Sequence, residues 1–211
     1  MRYALSKSAL LSGAFLLGFG GSALAQGPYY SLDWHRGSGG SCLDTCERAG
    51  AKVVVSGQYR GLPSPDQSFT VCKANAKHEG DRVGFNIVSS GPRCRVAHGD
   101  QGLKETEYAC LCATETTTVS PRFTFEWGAA GGGSCIDYCK RKDQEAVKAG
   151  QYKGFPSEDQ SFTVCRGAFL GGGRRVGFNI VSSGARCRFA YGDEGRSGTE
   201  FDCLCRKKVC C

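Results

Sequence analysis

VGFNIVSSG runs from Val83 to Gly91 and recurs letter for letter from Val176 to Gly184. Read with the two-residue period of a strand, Val83, Phe85 and Ile87 face one way and Gly84, Asn86 and Val88 the other. The stretch therefore predicts one arm of a hairpin with an apolar inner face. Ser89, Ser90, Gly91 and Pro92 read as the turn, and Arg93 to Ala97 as the returning arm. With that loop, Val88 opposes Arg93, Ile87 opposes Cys94, Asn86 opposes Arg95, Phe85 opposes Val96 and Gly84 opposes Ala97. The second copy sets Phe178 against Phe189 and Asn179 against Arg188 in the same register. A slip of one residue would turn the arginines inward, which selects this register.

Outward from the hairpin, the repetition covers most of the chain. Cys42, Cys46, Cys72, Cys94, Cys110 and Cys112 recur 93 residues later as Cys135, Cys139, Cys165, Cys187, Cys203 and Cys205. An ungapped match runs from Ser31/Thr124 to Cys112/Cys205, 82 positions with more than half identical. Two units of one fold follow, residues 30–112 and 123–205, joined by a Thr- and Pro-containing linker at 113–122. Residues 206–211 form a basic tail ending in Cys210 and Cys211. Units of this size bury only about 60 to 65% of their unfolded surface. Three disulfides apiece, each worth ~2 to 4 kcal/mol, supply stability that such a core lacks.

Residues 1–25 read as a secretory signal: Arg2 and Lys7, an apolar run from Ala9 to Gly21, then Ala23-Leu24-Ala25 as a cleavage site. The 14 cysteines all follow it, so the expected location is secreted or periplasmic and the expected cysteine chemistry is disulfide rather than zinc. No metal or cofactor is expected. The formal charge of +7 is misleading, because residues 31–112 carry 10 basic and 9 acidic side chains and residues 124–205 carry 11 and 10. The excess sits in the two ends, which argues against a nucleic-acid partner. No apolar run is long enough for a membrane span. Cys210 and Cys211 fall outside the repeat, and either bridge each other as a vicinal pair or crosslink two chains into a covalent homodimer.

Each unit opens on an alternating strand (Tyr30, Leu32, Trp34; Phe123, Phe125, Trp127), then a Gly-rich turn and a capping box at Ser41 and Asp44, repeated as Ser134 and Asp137. The two cysteines of the short helix share one face, and Cys110 and Cys112 share one face of the last strand. This predicts Cys42 and Cys46 bridged to Cys110 and Cys112, in either order, and Cys72 to Cys94. The predicted class is α+β: a small disulfide-rich domain with one short helix stapled to an antiparallel sheet, in two tandem copies. That cysteine skeleton, with its C-x3-C helix, resembles PAN/apple modules. The spacing departs from that family's pattern, and no site residue is carried over from it.

Two candidate binding surfaces emerge. On the hairpin's polar face, Asn86, Arg93 and Arg95 edge a glycine floor at Gly84, with Asn179, Arg186 and Arg188 in copy two; such donors suit carboxylate, sulfate or sugar hydroxyl. The loop GQYRGLPSPDQSF, repeated as GQYKGFPSEDQSF, offers Tyr59, Asp66 and Gln67 and again Tyr152, Asp159 and Gln160, an aromatic face beside polar groups. Catalysis is disfavoured: His35, His78 and His98 are replaced in copy two by Gly128, Gly171 and Tyr191, so no His-dependent site exists twice. The expected function is bivalent binding to a cell-surface glycan, repetitive envelope component or other extracellular surface. The alternative is a protease inhibitor or effector presenting Arg60 or Lys153 on a stiff loop.

Overall fold

The computed structural model describes residues 29–37, 39–116, 122–131, 133–168 and 172–209. The expected signal segment, Cys210 and Cys211 lie outside the described residues. Copy one contains β1 (Tyr29–Arg36), α1 (Cys42–Arg48), β2 (Lys52–Val53), β3 (Val55–Gln58), β4 (Ser68–Asn75), β5 (Asp81–Asn86), β6 (Cys94–His98), β7 (Gln101–Glu105) and β8 (Ala109–Thr116). Copy two repeats them as β9 (Arg122–Ala130), α2 (Cys135–Arg141), β10 (Glu145–Ala146), β11 (Lys148–Gln151), β12 (Ser161–Ala168), β13 (Arg174–Asn179), β14 (Cys187–Tyr191), β15 (Glu194–Gly198) and β16 (Phe201–Val209). Residues 113–116, read as linker, instead lengthen β8, and Arg122 opens β9; residues 117–121 lie outside the described ones.

The expected α+β domain, a helix stapled to its own small sheet, is corrected. All strands belong to a single 16-stranded antiparallel sheet. Each copy contributes a six-strand run, β1-β8-β4-β5-β6-β7 and β9-β16-β12-β13-β14-β15. The runs join at both ends, through Tyr30 opposite Phe123 and Gln101 opposite Glu194. The twelve strands therefore close a hydrogen-bonded circuit with no free edge, the usual remedy for edge-to-edge association.

Burial explains why the copies merge. The largest core cluster draws nine residues from copy one, including Phe69, Val83 and Phe85, and nine from copy two, including Phe162, Val176 and Phe178. A separate cystine-rich core lies within each copy. Strand β5 is thus covered on both faces: Val83 and Phe85 enter the shared core, while Gly84 sits opposite Cys72, under Val96. The apolar face of each copy is thus buried against its own duplicate.

The contact is isologous, as between the subunits of a two-fold dimer. Trp34 Nε1 donates to the Lys148 carbonyl at 3.2 Å, and Trp127 Nε1 to the Val55 carbonyl at 3.2 Å. Gly102 N donates to Asp193 O and Gly195 N to Asp100 O, both at 2.9 Å. Gly80 (φ +102°) and Gly173 (φ +86°) carry the closest approach, since a Cβ there would run into the carbonyl oxygen of Gln151 or Gln58.

The six disulfides all lie within copies: Cys42–Cys110, Cys46–Cys112 and Cys72–Cys94, then Cys135–Cys203, Cys139–Cys205 and Cys165–Cys187. They fix the order that the spacing left open. Ser41 and Asp44 form the capping box on the seven-residue α1, with Ser41 accepting from Asp44 N. The hairpin register differs by one residue from the expected one: Gly84 opposes Val96, Phe85 opposes Arg95, and in copy two Phe178 opposes Arg188. The in-or-out criterion failed because β5 has no solvent face, and because Val88–Ser90 coil into a 3-10 turn before Gly91 (φ +66°).

Candidate functional site

The register sets which side chains share a space. Arg95 and Arg188 stand opposite Phe85 and Phe178, on the strand face that looks across to the other copy rather than on an outer face. In copy two a cavity of about 300 Å³ is lined by Tyr152, Gln160, Phe162, Phe178, Ile180, Ser182, Ser183 and Arg188, and is completed by Arg82 from copy one. Tyr152 and Gln160 are half-buried on the 3-10 turns Tyr152–Gly154 and Glu158–Gln160. The two candidate surfaces, hairpin and loop, thus converge in one place, with one wall contributed by the duplicate.

Arg82 is almost fully buried, lying over the rings of Phe162 and Phe178 at 5.0 and 5.4 Å from their centroids. Its Nη2 donates to Glu79 Oε2 at 2.6 Å, and the same carboxylate oxygen is 3.0 Å from His98 Nε2. Burial lowers the affinity of Arg82 for its proton, and Glu79 opposes that effect. Glu79 is itself held below the ordinary carboxylate range, first by its hydrogen bond with His98, with Arg82 and Lys153 adding to it. The Glu79 carboxylate thus pairs with Arg82 through Nη2 and with the His98 imidazole, while Arg82 Nε is buried with no hydrogen-bond partner.

The counterpart in copy one is built around Arg175. Its guanidinium lies 4.5 Å from the Tyr191 ring centroid, 4.9 Å from Phe69, 5.5 Å from Phe85 and 6.0 Å from Tyr59. Tyr59, Gln67 and Arg95 are half-buried at the positions equivalent to Tyr152, Gln160 and Arg188. Burial lowers the proton affinity of Arg175, Tyr191 and Tyr59 oppose that, and Arg95 adds to it.

The remaining sequence candidates stand elsewhere. Asn86 is 1% exposed and belongs to the framework: its Oδ1 accepts from Cys42 N at 2.9 Å, and its Nδ2 donates to the carbonyls of Gly91 and Arg93 at 2.9 and 2.8 Å. Asn179 repeats this with Cys135, Gly184 and Arg186. The glycine floor is absent as a surface, because the Arg95 backbone and Val96 lie directly on Gly84. Asp66, Asp159, Arg93 and Arg186 are exposed and do not line the cavity. Arg82 and Arg175 were missed. The signal was one residue upstream of the repeated stretch: an arginine in both copies leading directly into an apolar strand run.

A second cleft, of about 520 Å³, lies between Leu32, Trp34 and Leu111 of copy one and the α2–β10 segment of copy two. Within it Lys148 pairs with Glu158 at 2.6 Å and Arg206 with Glu145 at 2.9 Å, and Lys73 covers the Trp34 ring at 5.1 Å; Gln144 Oε1, also in the lining, is buried with no hydrogen-bond partner. Among the described residues no cluster of three or more His, Cys, Asp or Glu is arranged to hold a metal, and no helix is long and apolar enough to cross a membrane.

No family model matches the chain, and no curated protein matches its sequence. Its fold is similar to that of the nematode sperm cell motility protein MFP2B, with a TM-score of 0.54 at 11% identity, over 85% of this chain and 46% of that one. The chain spans about half the length of that protein. At this identity the likeness shows the fold alone.

Proposed function

We propose that the protein is an exported, bivalent carbohydrate-binding protein that engages a cell-surface or envelope polymer through two pseudo-equivalent sites. The observation that supports this most is the cavity in which Tyr152, Gln160, Ser182, Ser183 and Arg188 of one copy meet Arg82 of the other. An aromatic wall with amide, hydroxyl and guanidinium donors is the combination that sugar rings and their hydroxyls require. Export is supported by the signal-like residues 1–25 and by six disulfides. The shared core holds the two sites at a fixed distance, so avidity depends on the spacing of epitopes on the polymer rather than on a flexible tether.

The inhibitor reading has less behind it. Arg60 (φ +51°) and Lys153 (φ +49°) hold left-handed backbone, whereas a protease cleft takes an extended strand. The test is binding of the oxidised protein to immobilised polysaccharides. Arg95→Ala and Arg188→Ala should each lower surface avidity by about 10²-fold or more, and the double variant should abolish it. Unchanged binding by the folded double variant overturns this function.

A further inference from the structure

The duplication supplies its own control. In copy one the buried arginine at the interface has an internal partner, Glu79, at 2.6 Å from Arg82. In copy two, 93 residues on, Gly172 stands in place of Glu79 and Tyr191 in place of His98. Arg175 is 8% exposed, and its Nε, like that of Arg82, is buried with no hydrogen-bond partner. It forms no ion pair among the described residues, and every Asp and Glu of the chain is among them. Instead it sits among four aromatic rings with a second guanidinium, Arg95, acting on it.

Ring faces offset part of the cost of burying a cation, but they accept no N–H bond as strongly as a carboxylate does. A guanidinium matches a carboxylate in shape and charge, and the other copy shows a carboxylate filling that role at the equivalent arginine. The equivalent arginine also borders open space, since Arg82 lines the cavity beside Arg188.

We propose that the Arg175 site takes its missing carboxylate from the ligand, so that it selects an acidic sugar while the Arg82 site, neutralised by Glu79, takes uncharged sugar hydroxyls. The assignment rests on the carbohydrate-binding reading above. The ligand class is a uronic-acid saccharide, with the Tyr59 ring 6.0 Å from the guanidinium and Gln67, equivalent to the cavity-lining Gln160, for the rest of the sugar. The two halves of the molecule would then read two different units of one polymer.

The test is calorimetric titration of the full oxidised chain with an oligogalacturonide and with the neutral oligogalactose of equal length. The wild type should bind the acidic chain at one site, at least about tenfold tighter than the neutral one. Gly172→Glu restores the internal carboxylate and should remove that preference without weakening neutral binding. Glu79→Gln frees Arg82 and should raise the acidic stoichiometry from one to two per chain. Acetate at equal concentration should not displace the saccharide; full displacement would overturn the assignment to a sugar. Equal binding of acidic and neutral chains by the wild type overturns the inference and leaves the binding function standing. Failure of both saccharides overturns the two together. Should Gly172→Glu not fold, as read by near-UV circular dichroism, Glu79→Gln decides alone: an acidic stoichiometry that stays at one overturns the proposal.

Discussion

Lys73 reaches out of copy one to donate from Nζ to the carbonyl oxygen of Ala149 at 2.9 Å, and its counterpart Arg166 donates from Nη1 to the Ser56 carbonyl at 2.7 Å. Each half thus satisfies a backbone acceptor of the other, next to the core that they share. A chain cut to residues 29–116 retains one full copy of these contacts but leaves Phe69, Val83 and Phe85 uncovered. It should therefore associate into a homodimer through the same surface, with a melting temperature that rises with protein concentration. Sedimentation equilibrium checks this; a folded monomer at micromolar concentration would contradict the shared-core account.

The approach of Gly80 to Gln151 and of Gly173 to Gln58 leaves no space for a methyl group, and both glycines hold positive φ. Gly80→Ala and Gly173→Ala should each destabilise the protein by about 2 to 3 kcal/mol. Because the two contacts are related by the internal two-fold, the losses should be similar. Denaturant unfolding of the oxidised protein measures them, and a cost below about 0.5 kcal/mol at either position would contradict the described packing.

Asn86 ties the first amide of α1 to the hairpin turn. Removing its side chain leaves Cys42 N and the carbonyls of Gly91 and Arg93 without that partner. Asn86→Ala should cost about 3 kcal/mol of stability, and the folded fraction should bind saccharide as the wild type does. A loss of affinity with unchanged stability would instead place Asn86 in a ligand site.

Acid should act through Glu79. Its carboxyl titrates below its unfolded value, chiefly because of the hydrogen bond with His98 and then because of Arg82 and Lys153, so the unfolded chain binds the proton more readily. Stability from this group is therefore complete above the unfolded carboxylate value, about 4.3 to 4.5, and is lost as pH falls through the lower folded value. Glu79→Gln should flatten the dependence of the melting temperature on pH below about 5. An unchanged acid limb would show that Glu79 titrates alike in both states.

Much of the local structure was legible. The 93-residue period, the capped seven-residue helix and the grouping of cysteines follow from spacing, because helix and strand periodicities fix which residues share a face. The global arrangement was not, and Phe85 shows why: a strand with one apolar face reads the same whether that face meets its own domain or a duplicate. The alternation rule also assumes that the other face meets water. In β5 both faces are covered, so it assigned Asn86 and Arg95 to a surface when one is framework and the other lines the interface. Arg82 and Arg175 escaped notice because most of the rings they lie against come from the other copy, and the carboxylate of Glu79, three residues from Arg82, reads in the sequence as an ordinary surface charge.

All six disulfides close within a copy, and none crosses between them. Since a chain emerges amino terminus first and folds as it is made, copy one can complete its three bridges before Cys135 needs a partner. Its six thiols are then withdrawn from exchange while the identical spacing of copy two is being synthesised. Among the described residues docking of the copies uses only noncovalent contacts, so covalent closure of copy one does not require it. A duplicated cysteine pattern, which invites scrambling between like sequences, is in this topology protected by the order in which it is read.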